Sequence, residues 1–314
     1  MIFLFSIVAL SLFGQASSLL SIEREGDVLE EKTMRLVIPK KPLARGSLQI
    51  EQATDRHRFA NWNDIDHTET RKLLQRIILV WNDRQIDDYL VYGRETDSSP
   101  FNWEIVPYRK GGWKFWKQLK VWWNIAFGGF SILRSERERL AHNLRHELSL
   151  TPYAEVRGTL PSPADDPFRN QTIIEKQRIF EGKEINVLYS HAPIAHGEEN
   201  LHFLIVPKQH RQAFSDLTKS EYIEAMQLSQ QLIRHYKEKG HGIAYLFHKT
   251  GEEAGQTIPH WIEHIVFVKT KAQAFFSKLT ILKNMLIGPS PLPEDELKHR
   301  VESLREELCE PLSA

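Results

Sequence analysis

Two imidazoles four residues apart, His260 and His264, stand in the run GQTIPHWIEHIVFV at residues 255–268. Side chains of an extended strand alternate between faces, so His260, Ile262 and His264 are expected on one face. Trp261, Glu263 and Ile265 then take the other. A row of imidazoles on a strand suits phosphate chemistry: one ring attacks phosphorus while its neighbours orient it and protonate the leaving oxygen. Just upstream, GEEAGQT at 251–257 reads as a tight turn whose backbone N–H groups can hold a phosphate. Gly251 and Gly255 would let that backbone approach a ligand closely, with Gln256 and Thr257 completing the turn. Lys249 supplies a point charge for the same phosphate.

The elements that must position these groups are legible in the C-terminal half. EINVLYS and LHFLIVPK read as strands, the second stopped by Pro207. A long helix follows, with Thr218 as cap and Glu221 reaching back to it. IAYLFHK and TIPHWIEHIVFVK are two further strands, and two helices close the chain. Strand, strand, helix, strand, strand is an α+β arrangement with an antiparallel sheet.

On these segments, residues 180–270 resemble a histidine-triad (HIT) domain, the fold of nucleotide hydrolases and nucleotidyl transferases. The family's Gly-Gln-Ser/Thr-hydrophobic-x-His-x-His-x-His is similar to Gly255-Gln256-Thr257-Ile258-Pro259-His260-Trp261-Ile262-Glu263-His264. A second family segment is matched by His202, Pro207, Lys208 and His210. The resemblance implies that His260 orients the nucleophile, His264 contacts the phosphate and His202 supports the cluster. It also implies a departure, because the family's nucleophilic histidine is replaced by Ile262, which cannot attack phosphorus. Glu263 likewise stands where the family has a hydrophobic residue.

Three readings compete. In one, the pocket binds a phosphate or nucleotide but has lost conventional HIT hydrolysis. In another, the domain is an active hydrolase or transferase that uses a substitute nucleophile or direct water attack, with His248, His260 or His264 as base. In the third, the HIT fold is scaffold for membrane or partner binding. HIT-like domains often pair, which makes a homodimer compatible with the resemblance. No cofactor and no metal are expected, since two imidazoles on the strand lack a carboxylate on their face.

The domain plan follows the same contrast. Residues 1–16 read as a signal peptide, with an apolar run from Ile2 to Phe13 and small residues Gly14 and Ala16, though no Lys or Arg precedes the run. Export or membrane association is the expectation; the alternative is a cytoplasmic chain with a buried N-terminal helix. Residues 17–66 look like a linker or loosely packed arm. Residues 67–160 form a mixed α/β, aromatic-rich region of unknown type, with a helix over 67–81 and a strand that turns at Gly93. LPSPADDP at 160–167 marks the boundary, 168–286 is the HIT-like domain, and 287–314 is a C-terminal helix.

Residues 107–133 hold Trp113, Trp116, Trp122 and Trp123 beside Arg109, Lys110, Lys114, Lys117 and Lys120, with no acid between Glu104 and Glu136. On a helical wheel Trp116, Leu119, Trp123 and Phe127 share a face. That face either packs on the core while the lysines snorkel, or it meets a membrane surface or partner through Trp113, Trp116, Trp123, Lys114 and Lys117. Over the 314 residues Lys+Arg and Asp+Glu are both 41, so bulk charge offers nothing to nucleic acid, and none is expected as a partner. The single cysteine, Cys309, excludes an intrachain disulfide.

Overall fold

A computed structural model describes residues 26–54, 57–151, 153, 166–194, 200–269 and 274–313. The signal-like segment and residues 160–165 of the expected boundary lie outside them.

Much of the stretch expected to be an irregular arm is sheet. It holds β1 (Asp27–Glu30), β2 (Met34–Val37) and β3 (Leu48–Gln52). Met34 and Leu36, then Leu48 and Ile50, point into the core, while Arg35 and Glu51 pair across the opposite face. Strands of four or five residues show only two or three apolar positions each, and the charges between them hide the alternation. Helix α1 (Asp64–Asp83) overruns the expected 67–81, because Asn63 caps it and Asp66 bonds back to the Asn63 N–H. Next come β4 (Asp88–Thr96), β5 (Asn102–Tyr108), α2 (Lys114–Phe127) and α3 (Arg134–Leu150). Gly93, expected to turn the chain, lies inside β4 instead. A Cβ there would sit 2.5 Å from the Phe101 ring, so the glycine makes room for an aromatic.

The second half contains α4 (Gln171–Gln177), β6 (Arg178–Glu181), β7 (Ile185–Tyr189), β8 (His202–Pro207) and α5 (Lys219–Glu238). It ends with β9 (Ile243–Thr250), β10 (Glu263–Val268), α6 (Ala274–Ile287) and α7 (Glu294–Ser313). The Thr218–Glu221 capping box of α5 is formed.

All ten strands join one antiparallel sheet in the order β1-β2-β3-β5-β4-β9-β10-β8-β7-β6. That order reads the same from both edges: three strands, a helix and two strands occur twice, each time followed by two helices. No repeat is visible in the sequence, yet the topology repeats. The halves meet along β4 and β9, from Tyr89↔Thr250 to Thr96↔Ile243. α1 and α5 cover one face of the sheet. α2 and α6 lie on the other, where the site is.

The register aligns the halves residue by residue. Glu104 pairs with Gln49 on one side and Tyr92 on the other, as His264 pairs with Leu204 and Phe247. The first half therefore has Glu104 where the second has His264, and Ser47 where it has His202.

Candidate functional site

Strands β8, β9 and β10 floor a cleft of about 500 Å³ with His202, Phe247, Lys249 and His264. Ile258 and Ile262 form an apolar wall, packed on the cluster that holds Phe168 and Leu204. α2 contributes Lys114 and Gln118, and α6 contributes Asn284 and Met285. Strand β10 begins only at Glu263, so His260 and Ile262 are not in the regular alternation expected of them. Pro259 has no N–H to give a ladder, and Trp261 N–H turns to Arg211 O instead. His260, Ile262 and His264 nevertheless all reach the cleft.

The hydrogen bonds fix what each imidazole can do. Ile194 N–H donates to His202 Nδ1 at 3.3 Å, which leaves the His202 proton on Nε2. His202 Nε2 is 3.0 Å from His264 Nδ1 and donates to it. The neutral His264 must then carry its own proton on Nε2, toward the cleft that it lines. Its ring stacks on Phe247 at 4.7 Å and 8°. Burial, and then the charges of His191 and Lys249, push the His202 pKa down to about 3. Burial likewise holds His264 well below the usual histidine range, reinforced by His202, Lys249 and His248. Both rings are neutral, and His264 is a hydrogen-bond donor rather than a base.

His260 is committed elsewhere. Its Nδ1 lies 2.8 Å from Asp166 Oδ2 and its Nε2 lies 3.2 Å from Pro207 O. The same Asp166 oxygen is 2.9 Å from His210 Nδ1. Burial raises the Asp166 pKa, but the bonds from His260 and His210 outweigh it and the carboxyl stays below its ordinary value. Asp166, His210 and His260 bring one ligand atom each within 4.8 Å of one another, and are the group among the described residues that could hold a metal ion. The carboxylate that the strand itself lacks arrives from 94 residues upstream, a separation that sequence periodicity cannot reveal.

Of the two described lysines that line the cleft, Lys114 pairs with Glu252 and Lys249 stays free of acids. No described carboxylate pairs with it, and its Nζ stands 5.5 Å from the centre of the Trp122 ring. Burial pushes its pKa down to about 8.

The glycine turn is arranged differently from the expectation. Gly251 N–H donates to Gln256 Oε1, Glu253 N–H to Asp88, Gly255 N–H to Glu252 O and Gln256 N–H to Gly251 O. Those N–H groups hold the turn itself rather than face a ligand. Gly251 is required for packing, since a Cβ there would lie 2.2 Å from the Asp88 carboxyl carbon at a φ of +84°. Gly255, Gln256 and Thr257 line the cleft.

Glu263 and His248 face away from the cleft. His248 Nδ1 is 2.7 Å from Glu263 Oε2, both are buried, and the imidazole stacks on Phe214. This partner explains the acid at a position that the family fills with a hydrophobic residue, and it removes His248 from the set of bases available to a ligand. Asp166, His191, Gln118 and Asn284 are site residues that the sequence reading missed. Only His191, eleven residues before His202, stood close enough to a recognised motif to be found.

Residues 171–270 match the model of the HIT domain family. No curated protein matches the chain. Among solved structures, it is similar to a GalT-like protein from Arabidopsis thaliana at 10% identity, over 84% of this chain and 89% of that one, with a TM-score of 0.51. It is also similar to an ADP-glucose phosphorylase from Arabidopsis thaliana with bound ADP-glucose, at 11% identity, over 86% and 81%, with a TM-score of 0.51. At such identity the likeness establishes the α+β fold alone, and the match to the HIT model lies in the second half.

Proposed function

We propose that the cleft binds a phosphate-bearing small molecule, a nucleotide by class, and has lost the covalent step of HIT chemistry. One observation carries the reading: Lys249, without a carboxylate partner among the described residues, stands in one cleft with a donating His264, while Ile262 occupies the nucleophile's position. A cation and a charge-assisted donor network converge on an anion. The apolar wall of Ile258, Ile262 and Phe168 suits the base or another apolar part of the ligand. The bound ADP-glucose of the phosphorylase supports a nucleotide over bare phosphate.

The substitute-base reading finds no support in the hydrogen bonds. His260 has both ring nitrogens engaged, His202 spends both on Ile194 and His264, and His264 keeps only an N–H.

Calorimetric titration of the full chain with ADP, UDP and inorganic phosphate tests the proposal. Lys249→Met should weaken nucleotide binding by on the order of tenfold or more. The pH dependence has a definite sign. Lys249 is charged below its folded pKa of about 8 and neutral above it, so affinity falls as pH rises through that value. Equal affinity in Lys249→Met, or affinity flat across that range, would contradict the anion site.

A further inference from the structure

The outer face of α2 is covered by nothing among the described residues. Val121, Trp122 and Ala126 turn inward, with Trp122 edge-on to Phe247. Opposite them Trp116, Lys120, Trp123 and Phe127 follow one another at helical spacing. The three aromatics are 56%, 52% and 43% exposed, and Trp113 and Phe115 at the helix start are 77% and 51% exposed. Of the face that the wheel singled out, for the core or for a membrane or partner, Leu119 is half-buried and Trp116, Trp123 and Phe127 are exposed.

The charges around it divide into two groups. Lys110, Lys114 and Lys117 pair with Asp87, Glu252 and Glu253, which fasten the helix to the rest of the molecule. Arg109 and Lys120 have no carboxylate partner among the described residues, and Lys120 lies 5.8 Å from the centre of the Phe130 ring. Exposed tryptophan rings beside the unpaired Lys120 suit the boundary between water and lipid, where the ring is half wetted and the cation meets headgroup phosphate. A second copy fits less well, because a two-fold contact through this face would set like charges against each other.

No described helix is long and apolar enough to cross a membrane, so contact through α2 is at the surface.

We infer that the outer face of α2, through Trp113, Trp116, Lys120 and Trp123, docks on an anionic lipid surface. The inference stands apart from the nucleotide reading. Because α2 also lines the cleft with Lys114 and Gln118, docking would hold the cleft beside the headgroup layer.

The test mixes the full chain with vesicles of phosphatidylcholine, alone or with phosphatidylglycerol, and reads co-sedimentation together with tryptophan quenching by brominated acyl chains. The expected result is binding that needs phosphatidylglycerol, weakens with salt and is accompanied by quenching. A chain carrying Trp116→Ala and Trp123→Ala should partition on the order of tenfold less, with an unchanged melting temperature because both side chains are exposed. Lys120→Glu should reduce the preference for the anionic vesicles. Equal binding by the double variant would assign any membrane contact to another segment and overturn the inference. So would an absence of binding by folded wild type, or self-association of wild type that the double variant abolishes.

Discussion

His264 shows how a backbone amide can decide the chemistry of a ring it does not touch. Ile194 N–H fixes the tautomer of His202, and His202 fixes that of His264. Nitrogen NMR of the full chain should find both rings neutral and protonated at Nε2 at pH 7; a proton on His264 Nδ1 would break the chain of donors. The counterpart position in the first half carries the opposite chemistry. Glu104 accepts from Leu43 N–H, with Ser47 beside it, and burial pushes its pKa up to about 7. A carboxyl raised above its unfolded value favours folding in acid, and that contribution is lost as pH rises from about 4.5 through 7. Glu104→Gln keeps an acceptor for Leu43 and should therefore raise the melting temperature at pH 8 more than at pH 5. An equal shift at both would argue that Glu104 is ionised throughout. The second half of the site was legible from sequence because its residues share a motif. Glu104 was not, since its meaning comes only from pairing with Gln49 and Tyr92.

Among the elements, α5 and its flanking strands follow directly from apolar spacing and the Thr218–Glu221 box. The strands before α1 did not show themselves, because each offers too few residues for a period to emerge. α2 misled for a different reason. An apolar stripe ordinarily marks a buried face, and here the exposed stripe competes with the inward one of Val121, Trp122 and Ala126. The 251–257 turn couples this helix to the site: Lys117 pairs with Glu253, and Gln118 Nε2 donates to Glu253 O at 3.0 Å. Gly251→Ala would drive a Cβ into Asp88 at a positive φ. A loss of about 2 kcal/mol or more in denaturant unfolding is expected, with weaker ligand binding as the turn shifts. Wild-type stability in that variant would mean that the turn is not fixed by the Asp88 contact.

The whole molecule consists of two units of the same strand order joined in one sheet, with β9 of the second paired to β4 of the first. At equivalent positions one unit places a carboxylate and a serine where the other places two imidazoles. Under the proposed function the cleft of the second half binds its ligand without bonding to it. The most direct test is intact-mass analysis of the full chain after incubation with a nucleoside diphosphate sugar, alongside calorimetric binding, for wild type and Ile262→His. The expected result is binding by both, an unmodified wild type with its ligand returned intact, and a nucleotidyl adduct only in Ile262→His. An adduct or product from wild type, or a folded wild type that binds no nucleotide, would contradict it.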